Sequence, residues 1–183
     1  MRCLVLGGTG AMGVYLVKLL ANSGIETIVT SRKPQKEKNN ITYLKGNAKD
    51  IEFLKSILLN QYDVIVDFMS YKTEEFKNRV DLLLSSTKHY IFLSSARVYS
   101  ENNSPIQETS PLLLNTINDN DYLKTDEYAL AKARQENVLK NSGKTNWTVI
   151  RPSLTYNEER LQLGTWEKEN WLYRALQGRT IIF

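Results

Sequence analysis

Apolar positions fall in short unbroken runs that alternate with longer stretches of helical spacing. Residues 2–6 form the first run, ended by Gly7-Gly8-Thr9-Gly10, the pattern of a buried strand and a tight turn. Over 11–23, Met12, Tyr15, Leu16, Leu19 and Leu20 recur at helical spacing, with Gly24 as the stop. The alternation continues with strands predicted at 25–30, 41–44, 62–67, 90–94 and 147–150. Helices are predicted at 51–59, 74–85 and 126–141, the last closed by Gly143. The polar stretch 101–125, with turns at Pro105 and Pro111, reads as a long loop, and the basic run 33–40 as a solvated one. His89 falls before the fifth strand, in a loop, and Trp147 begins the sixth, in the core. Strand and helix alternating almost throughout require a parallel sheet covered on both faces. Right-handed crossovers then give a doubly wound α/β fold in strand order 3-2-1-4-5-6. Residues 161–178 carry Trp166, Trp171, Leu172 and Leu176 on one more predicted helix, and 179–183 begin an apolar strand.

Chemistry enters at the first turn. Gly7, Gly10 and Gly13 stand as G-x-x-G-x-x-G between a strand and a helix. A side chain there blocks the turn, the approach of backbone to a pyrophosphate, or helix–strand packing. Through Thr9, Ala11 and Met12 the chain enters the helix, whose N–H groups and dipole favour phosphate. The reading is a Rossmann-type sheet that binds a nicotinamide dinucleotide. The second strand ends Thr30-Ser31-Arg32-Lys33, without the acid that accepts from the ribose 2′-hydroxyl in NAD sites. Ser31 and Arg32 suit a 2′-phosphate instead, so NADP is favoured over NAD.

Composition narrows the setting. The chain has 183 residues, 42% hydrophobic and 24% charged, as in one soluble domain or one domain and a fragment. A net charge of +4 and a pI of about 9.0 are spread along the chain and do not by themselves call for nucleic acid. One cysteine, Cys3 in an apolar run, points to a reducing compartment, read as cytoplasm, and to an inert thiol. No run is long enough to span a membrane, no signal-peptide layout begins the chain, and no cluster has metal-ligand spacing.

Three further segments carry a family likeness. The predicted helix at 126–141 contains Tyr128-Ala129-Leu130-Ala131-Lys132. The fifth strand ends Phe92-Leu93-Ser94-Ser95-Ala96-Arg97-Val98-Tyr99. The sixth ends Ile150-Arg151-Pro152-Ser153-Leu154-Thr155-Tyr156. With the glycine turn, these resemble the extended short-chain dehydrogenase/reductases, and within them the NAD-dependent epimerase/dehydratases that act on nucleotide sugars. The likeness runs from residue 1 to 156. Spacing of i and i+4 puts Tyr128 and Lys132 on one helix face, where an ammonium favours the phenolate. Tyr128 is thus the candidate general acid/base. The resemblance gives Lys132 the nicotinamide ribose as well, and makes Ser95, with Ser94 as fallback, the support for the reacting oxygen. It places Asn47 and Ala48 at the adenine, Phe68, Met69 and Ser70 under the cofactor, and Pro152 and Ser153 at the nicotinamide edge.

Some positions depart from that pattern. Ala96-Arg97 stands where dehydratases carry acids, which argues against expulsion of water. Ser100 and Asn157 replace glycines, Asn47 stands for an aspartate, and Phe68 and Met69 are bulkier than usual. The expectation is a dinucleotide-binding part at 1–156 and, at 157–183, the start of a substrate-binding part that continues beyond this sequence. The function implied is a nucleotide-sugar epimerase, or a reductase or dehydrogenase using the same residues. The contrasting class is a non-catalytic cofactor-sensing or RNA-binding relative. The family's habit of pairing through two helices, here 74–85 and 126–141, implies a homodimer joined by exposed Leu or Phe.

Overall fold

The computed structural model describes residues 1–101, 105–155, 161–163 and 166–181. Six parallel strands alternate with helices. They run β1 (Arg2–Leu6), α1 (Gly13–Asn22), β2 (Glu26–Ser31), β3 (Ile41–Lys45), α2 (Ile51–Leu58), β4 (Tyr62–Asp67), α3 (Thr73–Ser85) and β5 (Thr87–Leu93). After a 3-10 turn at Ala96–Val98 come α4 (Leu113–Thr116), α5 (Asn120–Lys124), α6 (Tyr128–Lys140) and β6 (Trp147–Ile150). The sheet order is β3-β2-β1-β4-β5-β6, the doubly wound arrangement that the alternation predicts. Among the described residues no helix is long and apolar enough to cross a membrane.

Every residue of β1 from Cys3 to Leu6 is buried because the sheet is covered on both sides. Period-2 alternation sorts them. Cys3 and Val5 pack with Val29 and Val66 against Val17 and Ala21 of α1. Leu4 and Leu6 join the larger core on the other face, with Leu54 of α2, Phe76 and Leu83 of α3, Tyr90 and Phe92 of β5 and Leu139 of α6. The Phe76 ring lies 4.9 Å from that of Phe92 and 6.0 Å from that of Tyr71, which ties α3 to the centre of the sheet.

Carboxylates fix several helix starts. Asp50 accepts from the N–H groups of Glu52 and Phe53 at 2.9 Å and caps α2. Glu127 accepts from Ala129 N–H at 2.7 Å and caps α6, so Tyr128 stands at its first position. Asp126 reaches across to α3, accepting from Thr73 N–H at 2.8 Å and from the Thr73 hydroxyl. The long loop and α6 are thereby pinned to the helix they pack against.

Several expectations are corrected. His89 lies inside β5, opposite Val64, with its Nε2 2.8 Å from Thr148 Oγ1; strand pairing carries the polar Thr87-Lys88-His89 into the sheet. The stretch expected to be all loop contains α4 and α5. Trp147 is half-buried because β6 is an edge strand. The helix expected at 161–178 is shorter: β7 (Gln162–Leu163) pairs antiparallel with β8 (Trp166–Glu167), and α7 spans Lys168–Leu176. Residues 179–181 of the expected last strand are irregular, while 182–183, Tyr156 and Asn157 lie outside the described residues. The outer faces of α3 and α6 carry no exposed Leu or Phe; Glu74, Lys77, Asp81, Asn137 and Lys140 stand there instead. Both helices spend their large apolar residues on the core.

Asp126→Ala is expected to cost roughly 1–2 kcal/mol, as loss of a helix-start acceptor does. Burial pushes the Asp126 carboxyl up, but the bonds from Thr73 and the charges of Lys72 and Arg134 outweigh it, leaving it below the ordinary range. A lowered folded-state pKa contributes stability that is full above the unfolded value of about 4 and is lost as pH falls through the folded one. Urea titrations of both proteins at about pH 7 and about pH 3 should show the gap close in acid.

Candidate active site

The strands end together, and two adjoining cavities lie along that edge. One, of about 540 Å³, is lined by Gly7, Thr9, Gly10, Thr30, Ser31, Arg32, Asn47 and Ala48. The other, of about 590 Å³, is lined by Met12, Ser94, Ser95, Arg97, Tyr128, Lys132, Pro152, Ser153 and Thr155. Phe68, Met69 and Ser70, just past β4, line both. Of the residues predicted from sequence, all line one cavity or the other except Ala11 and Gly13.

The glycines have distinct reasons. Gly7 has φ +72°, in the left-handed region. A Cβ on Gly13 would come within 2.5 Å of Gly8 Cα, so glycine is what lets α1 lie against the turn. Gly8, which sequence reading passed over, is walled by Val5, Val17 and Val29, with a Cβ 2.8 to 3.0 Å from their methyls. Gly10 is different: a Cβ there meets nothing nearer than Gly7 O at 3.4 Å and would extend into space. The fold does not need glycine at 10, but a ligand backbone lying there would. The first turn of α1 also lacks a side-chain cap, in contrast to α2 and α6. Both features fit a pyrophosphate against the turn.

At the far end of that cavity Arg32 is exposed. Ser31 is buried, and its hydroxyl donates to Lys33 O at 2.8 Å while accepting from Lys33 N–H. The turn occupies Ser31, which leaves Arg32 as the group suited to a phosphate. Asn47 Oδ1 accepts from Lys49 N–H at 3.1 Å, so the oxygen expected to meet an adenine amino group already serves the turn.

In the second cavity Lys132 is 3% exposed, and its ammonium donates to Leu93 O at 2.6 Å, 4.6 Å from the centre of the Phe92 ring. Burial pushes it down to about 8, against the opposing pull of Asp67 and Glu136. Tyr128, one turn earlier, is 42% exposed, with the Arg97 guanidinium 5.7 Å over its ring. Arg97 is itself held by Glu127 at 2.8 Å. The two serines are separated by their bonds. Ser94 donates to Glu136 at 2.6 Å. Ser95 Oγ accepts from Arg97 N–H at 3.2 Å, which leaves its own proton for a ligand.

A buried network behind these groups escaped sequence reading. Glu136, 1% exposed, takes a bidentate bond from Arg151 at 2.9 and 2.6 Å, and Arg151 also donates to Tyr99 Oη at 2.6 Å. The clamp sets the chain leaving β6, and so Pro152 and Ser153, against α6. A signal was present: Glu136 follows Lys132 by one helical turn, and an acid inside an amphipathic helix next to a buried lysine needs a partner.

Residues 7–174 match the NAD(P)H-binding family, and the chain belongs to it. The chloroplast stem-loop binding protein of 41 kDa b from Arabidopsis thaliana is 28% identical over 98% of this chain and 48% of its own length. The mitochondrial NADH dehydrogenase (ubiquinone) 1 alpha subcomplex subunit 9 of Dictyostelium discoideum is 26% identical over 91% of this chain and 46% of its own. Among solved structures, UDP-N-acetylglucosamine 4-epimerase from Bacillus cereus superposes with a TM-score of 0.65 at 20% identity, over 99% of this chain and 64% of that one. The doubly wound fold is thus shared with that epimerase structure. The chain spans about half the length of the curated relatives it matches.

Gly10→Val is expected to melt like the parent and to lose nicotinamide dinucleotide binding by titration calorimetry. Gly13→Val should instead lose stability, by about 1–3 kcal/mol or more, since its side chain meets backbone. Parental affinity in Gly10→Val would place the dinucleotide elsewhere.

Proposed function

We propose that this chain carries the cofactor-binding and proton-transfer machinery of a nicotinamide-dependent epimerase that acts on a nucleotide sugar. One observation carries the reading: Ser95, Tyr128 and Lys132 line a single cavity, joined through Phe68–Ser70 to the cavity of the glycine turn. The bound nicotinamide supplies a reversible hydride acceptor next to that trio. Gly7 to Gly13 hold the pyrophosphate, Asn47 and Ala48 border the adenine, and Pro152 and Ser153 frame the nicotinamide edge. Tyr128 takes a proton from a substrate hydroxyl and returns it. Lys132 brings its charge to the same cavity, and with the N–H bonds not given to Leu93 it holds the nicotinamide ribose. Ser95 donates its free proton to the reacting oxygen. Arg97, in place of an acid, gives the site no group for expelling water.

The same residues serve a reductase or dehydrogenase, which differs in consuming cofactor stoichiometrically with product. A second reading is a cofactor-sensing or RNA-binding protein without catalysis. It draws on the relative that is a stem-loop binding protein and on the pI of about 9.0. A Ser95, Tyr128 and Lys132 set sharing one cavity favours the enzyme, because a sensor has no use for a paired phenol and ammonium. The lone buried cysteine suits a reducing compartment, for which we propose the cytoplasm. A homodimer through α3 and α6 would be joined by their polar faces.

With nucleotide sugars screened by hydrogen exchange, Tyr128→Phe should retain cofactor and lose turnover by about 10²- to 10⁴-fold, the usual worth of a general acid/base. Lys132→Met should damage turnover and cofactor binding together. Full activity in Tyr128→Phe would reject Tyr128 as the proton-transfer residue.

NADP(H) should bind more tightly than NAD(H), and Arg32→Ala should remove the difference. Equal affinities in the parent protein, by calorimetry, would assign Arg32 to solvent.

A further inference from the structure

The Asp67 carboxylate, at the end of β4, is fully buried, and nothing assigned so far uses it. Three donors converge on it. Tyr90 and Tyr71 hydroxyls reach one oxygen at 2.8 and 3.1 Å, and Met69 N–H reaches the other at 2.9 Å. Burial and the carboxylate itself push both phenols well above their ordinary range, so they remain donors at neutral pH. Burial raises Asp67 above its ordinary range, and the three bonds and the Lys132 charge oppose that only in part.

Lys132 approaches the same place from the helix side. Asp67 stands opposite Phe92 in the β4–β5 register, and the Lys132 ammonium lies over the Phe92 ring and bonds the next carbonyl, that of Leu93. Of the other charged groups around them, Glu136 also faces Lys132 from one turn along α6, but it is engaged by Arg151 and Ser94. Arg79 of α3 sits 4.5 Å over the Tyr71 ring and acts on that phenol, while its guanidinium donates to Ala48 O and Lys49 O. Tyr128 is the titratable group one turn before Lys132. Asp67 is thus left as the acid whose bonds come only from neutral donors.

We propose that Asp67 is the internal counter-ion of Lys132, a positioning residue that keeps the buried ammonium charged where it serves Tyr128. The catalytic consequence rests on the function proposed above; the pairing does not. A buried ammonium at the nicotinamide end releases its proton unless a fixed negative charge faces it. Asp67 supplies that charge, and the two tyrosines hold it in place.

NMR of the whole chain with isotope-labelled lysine and aspartate follows both groups without substrate. Lys132→Met assigns the lysine resonance. In the parent, burial pushes Lys132 down to about 8, where its midpoint is expected. Asp67→Asn, of the same shape without the charge, should lower that midpoint by roughly one to three units. The coupling is reciprocal, so Lys132→Met should raise the midpoint of Asp67. An unmoved Lys132 midpoint in folded Asp67→Asn overturns the proposal. Should that variant fail to fold, an unmoved Asp67 midpoint in Lys132→Met overturns it equally. Both shifts together with full activity in Tyr128→Phe would uphold the counter-ion and reject only the catalytic reading.

Discussion

A lysine ammonium 3% exposed, bonded at 2.6 Å to the last carbonyl of a central strand, organises the carboxyl end of this sheet. A charge taken so far out of water needs compensation, and two buried acids stand around it: Asp67 from β4 and Glu136 from α6. Glu136 in turn requires Arg151, and the bidentate bond between them fixes the chain that leaves β6. Ser94 is drawn into that network, so of the two serines that line the cavity Ser95 is the one not bonded to Glu136. Lys132, Glu136 and Arg151 together tie α6 to the ends of β5 and β6.

The other end of the site is governed by contact rather than charge. α1 lies against the turn after β1 because Gly13 and Gly8 carry no side chains at their point of approach. That packing brings the start of α1 to the crevice between β1 and β4, where the strand order reverses, the position at which doubly wound sheets bind ligands. Phe68, Met69 and Ser70 leave β4 at the same crevice and border both cavities. A Cβ on Gly7 would come within 3.0 Å of the Met69 sulfur. The turn and the segment after β4 are thus matched in size.

Family membership fixes the ligand class more firmly than the reaction. The two curated relatives carry different names, one a stem-loop binding protein and one a subunit of NADH dehydrogenase, while the likeness to an epimerase structure is one of fold. What distinguishes the alternatives is therefore local: whether a phenol, an ammonium and a hydroxyl meet in one cavity. Tyr128, Lys132 and Ser95 line one, and it adjoins the cavity of the glycine turn. Arg97, held by Glu127 over the Tyr128 ring, gives this cavity a second cation, so a substrate would meet positive charge at both Arg97 and Lys132.

The strands, their order and the glycine turn were legible from the residues alone, because they follow from local periodicity and from rules of chain crossing. The pair Tyr128 and Lys132 was legible too, since helical spacing is local. Helices of four and five residues inside 101–125 were not, because neither is long enough to show a period. The hairpin of β7 and β8 hid behind aromatic residues spaced as on a helix. His89 entered β5 only because β4 offered polar Thr87-Lys88-His89 a partner strand. The burial of Lys132, the bond of Tyr90 to Asp67, and the engagement of Ser94 by Glu136 were decided by tertiary structure alone. Each depends on groups 15 to 42 residues apart meeting where water is excluded, and only the closed sheet and the helices packed on it exclude it.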